Sequence, residues 1–245
     1  MNCNSFLAIA ALATLAACSA GPAVEGVNDP YEPMNRQVHA FNRGLDARVV
    51  KPLTSGMASK QPGKSRGVGS YALEGIGNFG SNLAQPGKAL NHLLQGRVEP
   101  AVKTGFRFAV NTTLGLAGFL DPATADFALP EQDTDFGQTL AVWGVPEGAY
   151  LELPLLGPST TRDAAGRVVD LVIDPMHEVL TLDQWLIGLG ARAVSKAGER
   201  ARFGDSVDSI LHESADSYAQ TRLIWIQHRR HELGQEGDEI DPYAE

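Results

Sequence analysis

The sequence predicts a single, mainly helical domain, and three observations carry that prediction. Apolar residues recur at three- and four-residue spacing in successive segments, from Tyr31 to Val49, Val102 to Ala117 and Leu182 to Ala193. Prolines stand where helices should start or stop, at Pro30, Pro52, Pro86, Pro100 and Pro175. No strand–helix–strand alternation surrounds the one glycine-rich stretch, residues 67 to 80, so the usual α/β alternative has no footing. At 245 residues the chain can bury one substantial core.

The net charge of −9 argues against a nucleic-acid binder, which carries a basic stripe. It argues equally against recruitment to anionic lipid by charge alone. Attachment to a membrane would need apolar burial or a covalent lipid, and the N-terminus points to the second. Phe6 to Ala17 is uninterrupted apolar and small residues, too short to span a bilayer and suited to a signal-peptide core. It ends in Leu15-Ala16-Ala17-Cys18, which resembles a bacterial lipobox and implies cleavage before Cys18 and diacylglyceryl transfer to its thiol. Met1 to Ser5 holds no Lys or Arg, leaving the terminal amine as the positive end of that signal. Ser19 follows the cysteine, which in lipoproteins of enteric type favours the outer membrane. Cys3, the other cysteine, would leave with the signal peptide, so neither an internal disulfide nor a cysteine metal site is expected. The expected organisation is a signal peptide over 1–17, a lipidated tether over 18–27, a helical domain over 28–235 and an acidic disordered tail over 236–245.

Asn28-Asp29-Pro30-Tyr31-Glu32 reads as a helix start, with Asp29 as cap, Pro30 in the first turn and Glu32 at the positive end of the dipole. Tyr31, Met34, Val38, Phe41, Leu45 and Val49 then make one apolar face, while Asn35 and Asn42 lie on a neighbouring line. Asn35 and Arg36 are expected to pin this helix to the core. Lys51-Pro52 should end it, ahead of a polar segment with Lys60, Lys64 and Arg66. Gly75-Ile76-Gly77-Asn78-Phe79-Gly80 matches a dinucleotide fingerprint in letters only: no hydrophobic strand precedes it. Close helix packing is the better use of those glycines. Pro86 and Pro100 each mark the first turn of a further helix. In the second, Val102, Phe106, Val110 and Leu114 oppose Lys103 and Arg107, and the run to Leu120 suits either a core helix or one lying in a membrane interface. Asp174-Pro175 should stop a helix begun after Arg162, and Thr181 can cap the next. The last helical pattern carries Leu223-Ile224-Trp225-Ile226, expected to touch more than one body, and ends in the cationic cluster His228 to His231, expected to be solvated.

Residues 133 to 163, DTDFGQTLAVWGVPEGAYLELPLLGPSTTRD, fit neither template. Pro146, Pro154 and Pro158 interrupt any helix or central strand, yet the segment is strongly apolar, so helices or lipid should cover it. Ser159-Thr160-Thr161 ahead of Arg162-Asp163 reads as a helix start. Its ordered pieces, Asp135-Phe136-Gly137-Gln138-Thr139-Leu140, Trp143-Gly144, Tyr150 and Leu153-Pro154-Leu155-Leu156-Gly157-Pro158-Ser159-Thr160, resemble the VacJ/MlaA family of bacterial outer-membrane lipoproteins. So does Asn28 to Arg36 near the mature N-terminus. The resemblance covers roughly residues 28 to 235.

The resemblance implies a ring of helices with interfacial amphipathic segments and an amphipathic central channel, lodged in the periplasmic leaflet of the outer membrane. It implies removal of phospholipid mislocalised to the outer leaflet and its delivery to a soluble MlaC-like periplasmic carrier, with trimeric porins as possible associates. Phospholipid would be the transported ligand, the Cys18 lipid the one covalent group, and no other cofactor is implied. On this reading Phe136, Gly137, Leu140, Trp143, Gly144, Tyr150 and Leu153 to Pro158 belong to the channel wall or its gate. Asn28, Asp29, Pro30, Tyr31, Glu32, Asn35 and Arg36 would be their structural partner.

Catalytic chemistry has little to stand on. The chain contains no H-E-x-x-H, G-x-S-x-G, Walker A or zinc-ligand spacing. Asp133 and Asp135 in a loop read as turn chemistry or a helix cap. No catalytic or metal residue is expected, and a structural lipoprotein that scaffolds porins without moving lipid is the competing class.

Overall fold

The computed structural model describes residues 27–55 and 68–235; the signal peptide, the tether through residue 26 with Cys18, the segment carrying Lys60, Lys64 and Arg66, and the tail from 236 lie outside them. The first helix, α1 (Glu32–Leu45), runs through a π-turn at Asp46–Val50 into α2 (Lys51–Ser55). A long α3 (Val68–Leu94) follows, then α4 (Val98–Thr113), a single turn α5 (Pro122–Ala125) and α6 (Phe136–Val142). A hairpin of β1 (Tyr150–Leu153) and β2 (Gly157–Thr160) leads directly into α7 (Thr161–Ile173). A 3-10 turn at Pro175–Glu178 precedes α8 (Leu182–Arg202), α9 (Gly204–Asp208), a second π-turn at Ser209–Glu213 and α10 (Ser217–Glu232).

Local chemistry explains most of the boundaries. Asp121, Asp135, Thr160 and Asp216 each accept a backbone N–H three residues on, capping α5, α6, α7 and α10. Thr181 and Gln184 complete a capping box at α8. Gly96, at φ 73°, ends α3, and the N–H of Arg97 reaches back to the His92 carbonyl at 2.8 Å.

Four expectations need correcting. Asp29 does not cap α1; its carboxylate is taken by Asn35, Tyr218 and Arg222, and Tyr31 stands at the cap without a side-chain bond. Pro52 does not stop the first helix, because the π-turn resets the backbone register just ahead of it and the Thr54 hydroxyl donates to the Val50 carbonyl at 2.8 Å. Pro86 starts no new helix: α3 runs through it, so packing of α3 against α8 and α4 outweighs a cost of roughly 3 kcal/mol. The 150–160 segment forms two strands despite Pro158, since each strand of a two-stranded ribbon is an edge and can spare an N–H.

Close helix contact is where glycine matters. A Cβ on Gly80 would lie 2.3 Å from the backbone carbon of Ala191, so α3 and α8 touch main chain to main chain. Gly166 of α7 does the same against Gly137 of α6, where its Cβ would lie 2.3 Å from the Gly137 nitrogen. The 75–80 glycines therefore serve packing inside a helix and form no phosphate loop.

The amphipathic helices are turned the opposite way from those of a water-soluble protein. Along α1 and the π-turn after it the buried line is Asn35, His39 and Asp46, while Met34, Phe41 and Val49, and Tyr31 at the cap, are exposed. On α4 the buried line includes Thr104, Arg107 and Asn111; Val102 and Phe106 face outward. Val168, Leu171 and Val172 of α7 and Leu182, Leu186 and Ile187 of α8 are exposed as well. Among the described residues, buried polar side chains outnumber buried apolar ones. Apolar periodicity marked the faces and left their direction open between core and membrane interface; the outward setting seen here is unfavourable only if water is the solvent. No described helix is long and apolar enough to cross a membrane.

Candidate functional site

A cavity of about 760 Å³ lies between the N-terminal half of α3, the α4–α5 region and the C-terminal half of α8. Its wall is largely polar: Glu74, Asn78 and Ser81 from α3, Glu131 from the connection before α6, and Ser195, Glu199 and Arg202 from α8. One end is closed by a braced cluster. Arg107, only 3% exposed, donates to Thr124 at 2.8 Å, to the Leu129 carbonyl and to both oxygens of Asp121 at 3.3 Å. Asn111 and Thr124 donate to the same carboxylate at 2.8 and 2.6 Å. Burial pushes Asp121 up, but those bonds and the Arg107 charge outweigh it and hold the carboxyl below its ordinary range.

The polar wall extends along α3. Glu74, Asn78, Ser81, Gln85, Lys88, His92 and Gln95 alternate at four- and three-residue spacing, so they form one stripe. Its far end is buried; Gln85 Oε1 and Gln95 Oε1 have no hydrogen-bond partner among the described residues, and the His92 ring faces the Gln132 main chain. Burial lowers the His92 pKa, so the ring is neutral near pH 7. Lys88 lies midway, 2.5 Å from both Glu131 and Asp133. Burial alone would lower its pKa; the two carboxylates more than reverse that.

A second centre surrounds the hairpin. The Asn35 amide donates to Asp29 at 2.8 Å and to the Tyr150 carbonyl at 3.1 Å, and accepts from the Glu152 N–H at 3.0 Å. Seven residues on, Asn42 donates to the Leu153 carbonyl and accepts from the Leu155 N–H, both at 2.9 Å. Tyr150, 1% exposed, packs edge-on to Tyr218 and Trp225 and donates to Glu152 at 2.6 Å. Arg36 pairs with both oxygens of Asp216 and lies over the Tyr218 ring.

Beneath the α6–α7 contact, Arg229 of α10 reaches Asp135 at 2.7 and 2.9 Å and Asp163 at 3.1 and 3.2 Å. Burial would lower its pKa; Asp135 and Asp163 raise it further than that. Asp170 accepts from the Phe136 N–H at 3.0 Å and from Asn91 at 2.7 Å, yet burial pushes its carboxyl up to about 6. The expectation of a solvated cationic end on α10 is thus corrected at Arg229, which is an interior ion. Of the four apolar residues before it, Trp225 and Ile226 join the core while Leu223 and Ile224 are exposed.

This frame matches known proteins. A sequence model for the MlaA lipoprotein covers residues 27–232. The intermembrane phospholipid transport system lipoproteins MlaA of Shigella flexneri and of Escherichia coli K12 are each 32% identical over 243 residues, spanning 97% of this chain and 90% of theirs. A solved structure from work on the structural basis for maintenance of bacterial outer membrane lipid asymmetry superposes with a TM-score of 0.67. It is 31% identical and covers 84% of this chain and 98% of its own.

The chain belongs to the MlaA lipoprotein family.

The family motif residues read from the sequence divide sharply by position. Asn35 and Arg36 do fasten α1, through the hairpin and α10, while Tyr31 points outward and Asn28 contributes its carbonyl to the Tyr150 N–H at 2.8 Å. Phe136, Gly137 and Tyr150 are buried, and Leu140 and Leu153 are half-buried. Trp143, Leu155 and Leu156 are exposed, Trp143 stacking edge-on against Phe136 and donating to the Leu94 carbonyl. Gly144 and Gly157 take positive φ, as does Leu155 at the hairpin tip beside Pro154, with Pro158 on β2. None of these lines the 760 Å³ cavity, whose wall is built by α3, α4, α5, the connection before α6, α8 and α9. Sequence reading missed that wall. The stripe from Glu74 to Gln95 was its available signal, a polar heptad pattern in a helix flanked by exposed apolar residues.

Proposed function

We propose that this MlaA-family chain works in intermembrane phospholipid transport, withdrawing phospholipid mislocalised to the outer leaflet and so maintaining outer-membrane lipid asymmetry. The observation that carries the reading is the inversion: outward apolar faces on α1, α4, α7 and α8, with a polar-lined cavity bordered by α4 and α8. A phospholipid needs a polar route for its headgroup and an apolar one for its tails, and a helix ring with outward apolar faces offers both. No bond is made or broken in that passage.

On this reading the outward faces seat the protein in the periplasmic side of the outer membrane. Acylation of Cys18 holds it there, and the exposed Leu155–Leu156 tip meets lipid tails as a wall or gate element. The cavity between α3 and α8 carries headgroups. A soluble MlaC-like carrier accepts the lipid on the periplasmic side, and trimeric porins are candidate neighbours.

The test is genetic complementation with a chemical readout of outer-leaflet phospholipid. Cells lacking this gene should accumulate phospholipid at the surface, and the intact chain should clear it. A chain that restores envelope integrity but leaves surface phospholipid unchanged would refute transport in favour of a scaffold.

A further inference from the structure

The connection between α5 and α6 places Glu131 against α3 in a way that ordinary loop anchoring does not require. Ser81, Gln85 and Lys88 stand at four- and three-residue spacing on one face of α3. All three converge on a single carboxylate. The Ser81 hydroxyl lies 2.8 Å from both Glu131 oxygens, Gln85 Nε2 donates at 3.0 Å, and Lys88 Nζ sits 2.5 Å from the same oxygen. Glu131 and Ser81 line the cavity, while Lys88 does not. The carboxylate therefore stands between the cavity and the cation.

We propose that Ser81, Gln85 and Lys88 form an anion site for the phosphodiester of a phospholipid headgroup, and that Glu131 fills it in this structure as an internal stand-in. A carboxylate and a phosphodiester each present two equivalent oxygens sharing one negative charge, so a hydroxyl, an amide and an ammonium that satisfy one satisfy the other. Gln85 is fully buried and its Oε1 has no partner among the described residues, so the amide is committed to this point by its Nε2 alone. Asp133 adds a second carboxylate to Lys88 at 2.5 Å and lies 3.7 Å from Lys196 of α8. Movement of the connection would release Lys88 from both carboxylates, while Lys196, already exposed, would keep Glu199 at 3.1 Å.

The backbone allows that movement. Leu129 is held by the Ala123 carbonyl and by Arg107, and the Thr134 hydroxyl by Gln95 and Gln138. Between those anchors, residues 130–133 make no main-chain to main-chain hydrogen bond among the described residues. The Gln132 main chain bonds the His92 ring, so the motion required is of the Glu131 and Asp133 side chains on either side of that point.

This inference rests on the phospholipid-transport reading, and the experiment separates the two. Full-length acylated protein is purified in mild detergent, and co-purifying phospholipid per chain is measured by mass spectrometry for wild type, Glu131→Gln, Glu131→Gln/Lys88→Met and Glu131→Gln/Ser81→Ala. Circular dichroism confirms equal folding, and the serine variant serves if the lysine variant unfolds. Emptying the site of its carboxylate should raise retained phospholipid several-fold, and removing Lys88 or Ser81 should cancel the gain. Wild type that retains phospholipid with no gain in Glu131→Gln overturns the anion site and leaves the transport reading standing. Loss of phospholipid from every form overturns both. Thermal shifts of Glu131→Gln with dihexanoyl phosphatidylethanolamine and with inorganic phosphate identify the source. A shift with the lipid alone supports a headgroup site, and an equal shift with inorganic phosphate overturns it.

Discussion

The hairpin corner and the cavity wall are built from the same materials and finished differently. At the corner, Asn35, Asn42, Glu152 and Tyr150 meet partners at 2.6 to 3.3 Å, and Arg229 is enclosed by two carboxylates. On the α3 stripe and on α4, Gln85, Gln95 and Thr104 each keep a buried oxygen without a partner among the described residues. Removing one partner of a buried polar pair costs about 1–3 kcal/mol, so substitutions should act unequally at the two places. The corner is a fixed bracket, and the α3–α4 side is held by fewer bonds between its own side chains.

The largest test of that contrast is at the corner. Arg229→Met takes the cation from Asp135, leaves Asp163 with Arg162 alone at 3.3 Å, and should cost about 3–5 kcal/mol in denaturant titration in detergent. Thr104→Val on α4 should cost well under 1 kcal/mol, since its hydroxyl has no partner among the described residues to lose. Comparable losses at the two sites would erase the distinction.

The next effect depends on pH. The folded-state pKa of Asp170 is about 6 against 3.8 unfolded, so the native state holds the extra proton between those values. Its contribution is therefore full below pH 3.8 and is lost as pH rises through 6. Relative to Asp170→Asn, wild type should lose up to about 3 kcal/mol between pH 4 and 7, measured by parallel unfolding curves. A pH-independent difference would mean the carboxyl is better solvated than its position between Asn91 and Phe136 implies.

Smaller effects separate contact from conformation on α3. Gly80→Ala drives a methyl into the Ala191 backbone and should cost roughly 1–3 kcal/mol while displacing the cavity wall. Gly87→Ala meets nothing within 4 Å and should instead gain up to about 1 kcal/mol from helix propensity. Equal outcomes at the two glycines would show that α3 and α8 are not in main-chain contact in solution.

Much of this frame could be read from the chain. Thr160 and Thr181 cap helices where their spacing placed them, and the Asn35–Asn42 line does pin α1. Periodicity located faces but carried no information on which solvent lies outside, so the direction of Phe41, Val102 and Leu182 stayed open until the structure turned them outward. Arg229 was unreadable because its carboxylates lie 66 and 94 residues away. The hairpin was hidden by Pro154 and Pro158, which argue against a central strand and have no force at an edge.

That edge has one further consequence. An uncovered strand offers a row of open N–H and C=O groups to any passing chain, and the outer edge of β1 would be such a row. Two asparagine side chains of α1 stand in for the missing neighbour, Asn35 along β1 and Asn42 where β1 runs into the apolar tip. A helix has been made to serve as the sheet's third strand, which seals the ribbon against self-association in a crowded envelope. Replacing Asn35 and Asn42 together would reopen it, and the resulting defect would appear as fibrillar or swapped aggregates before any loss of helix content.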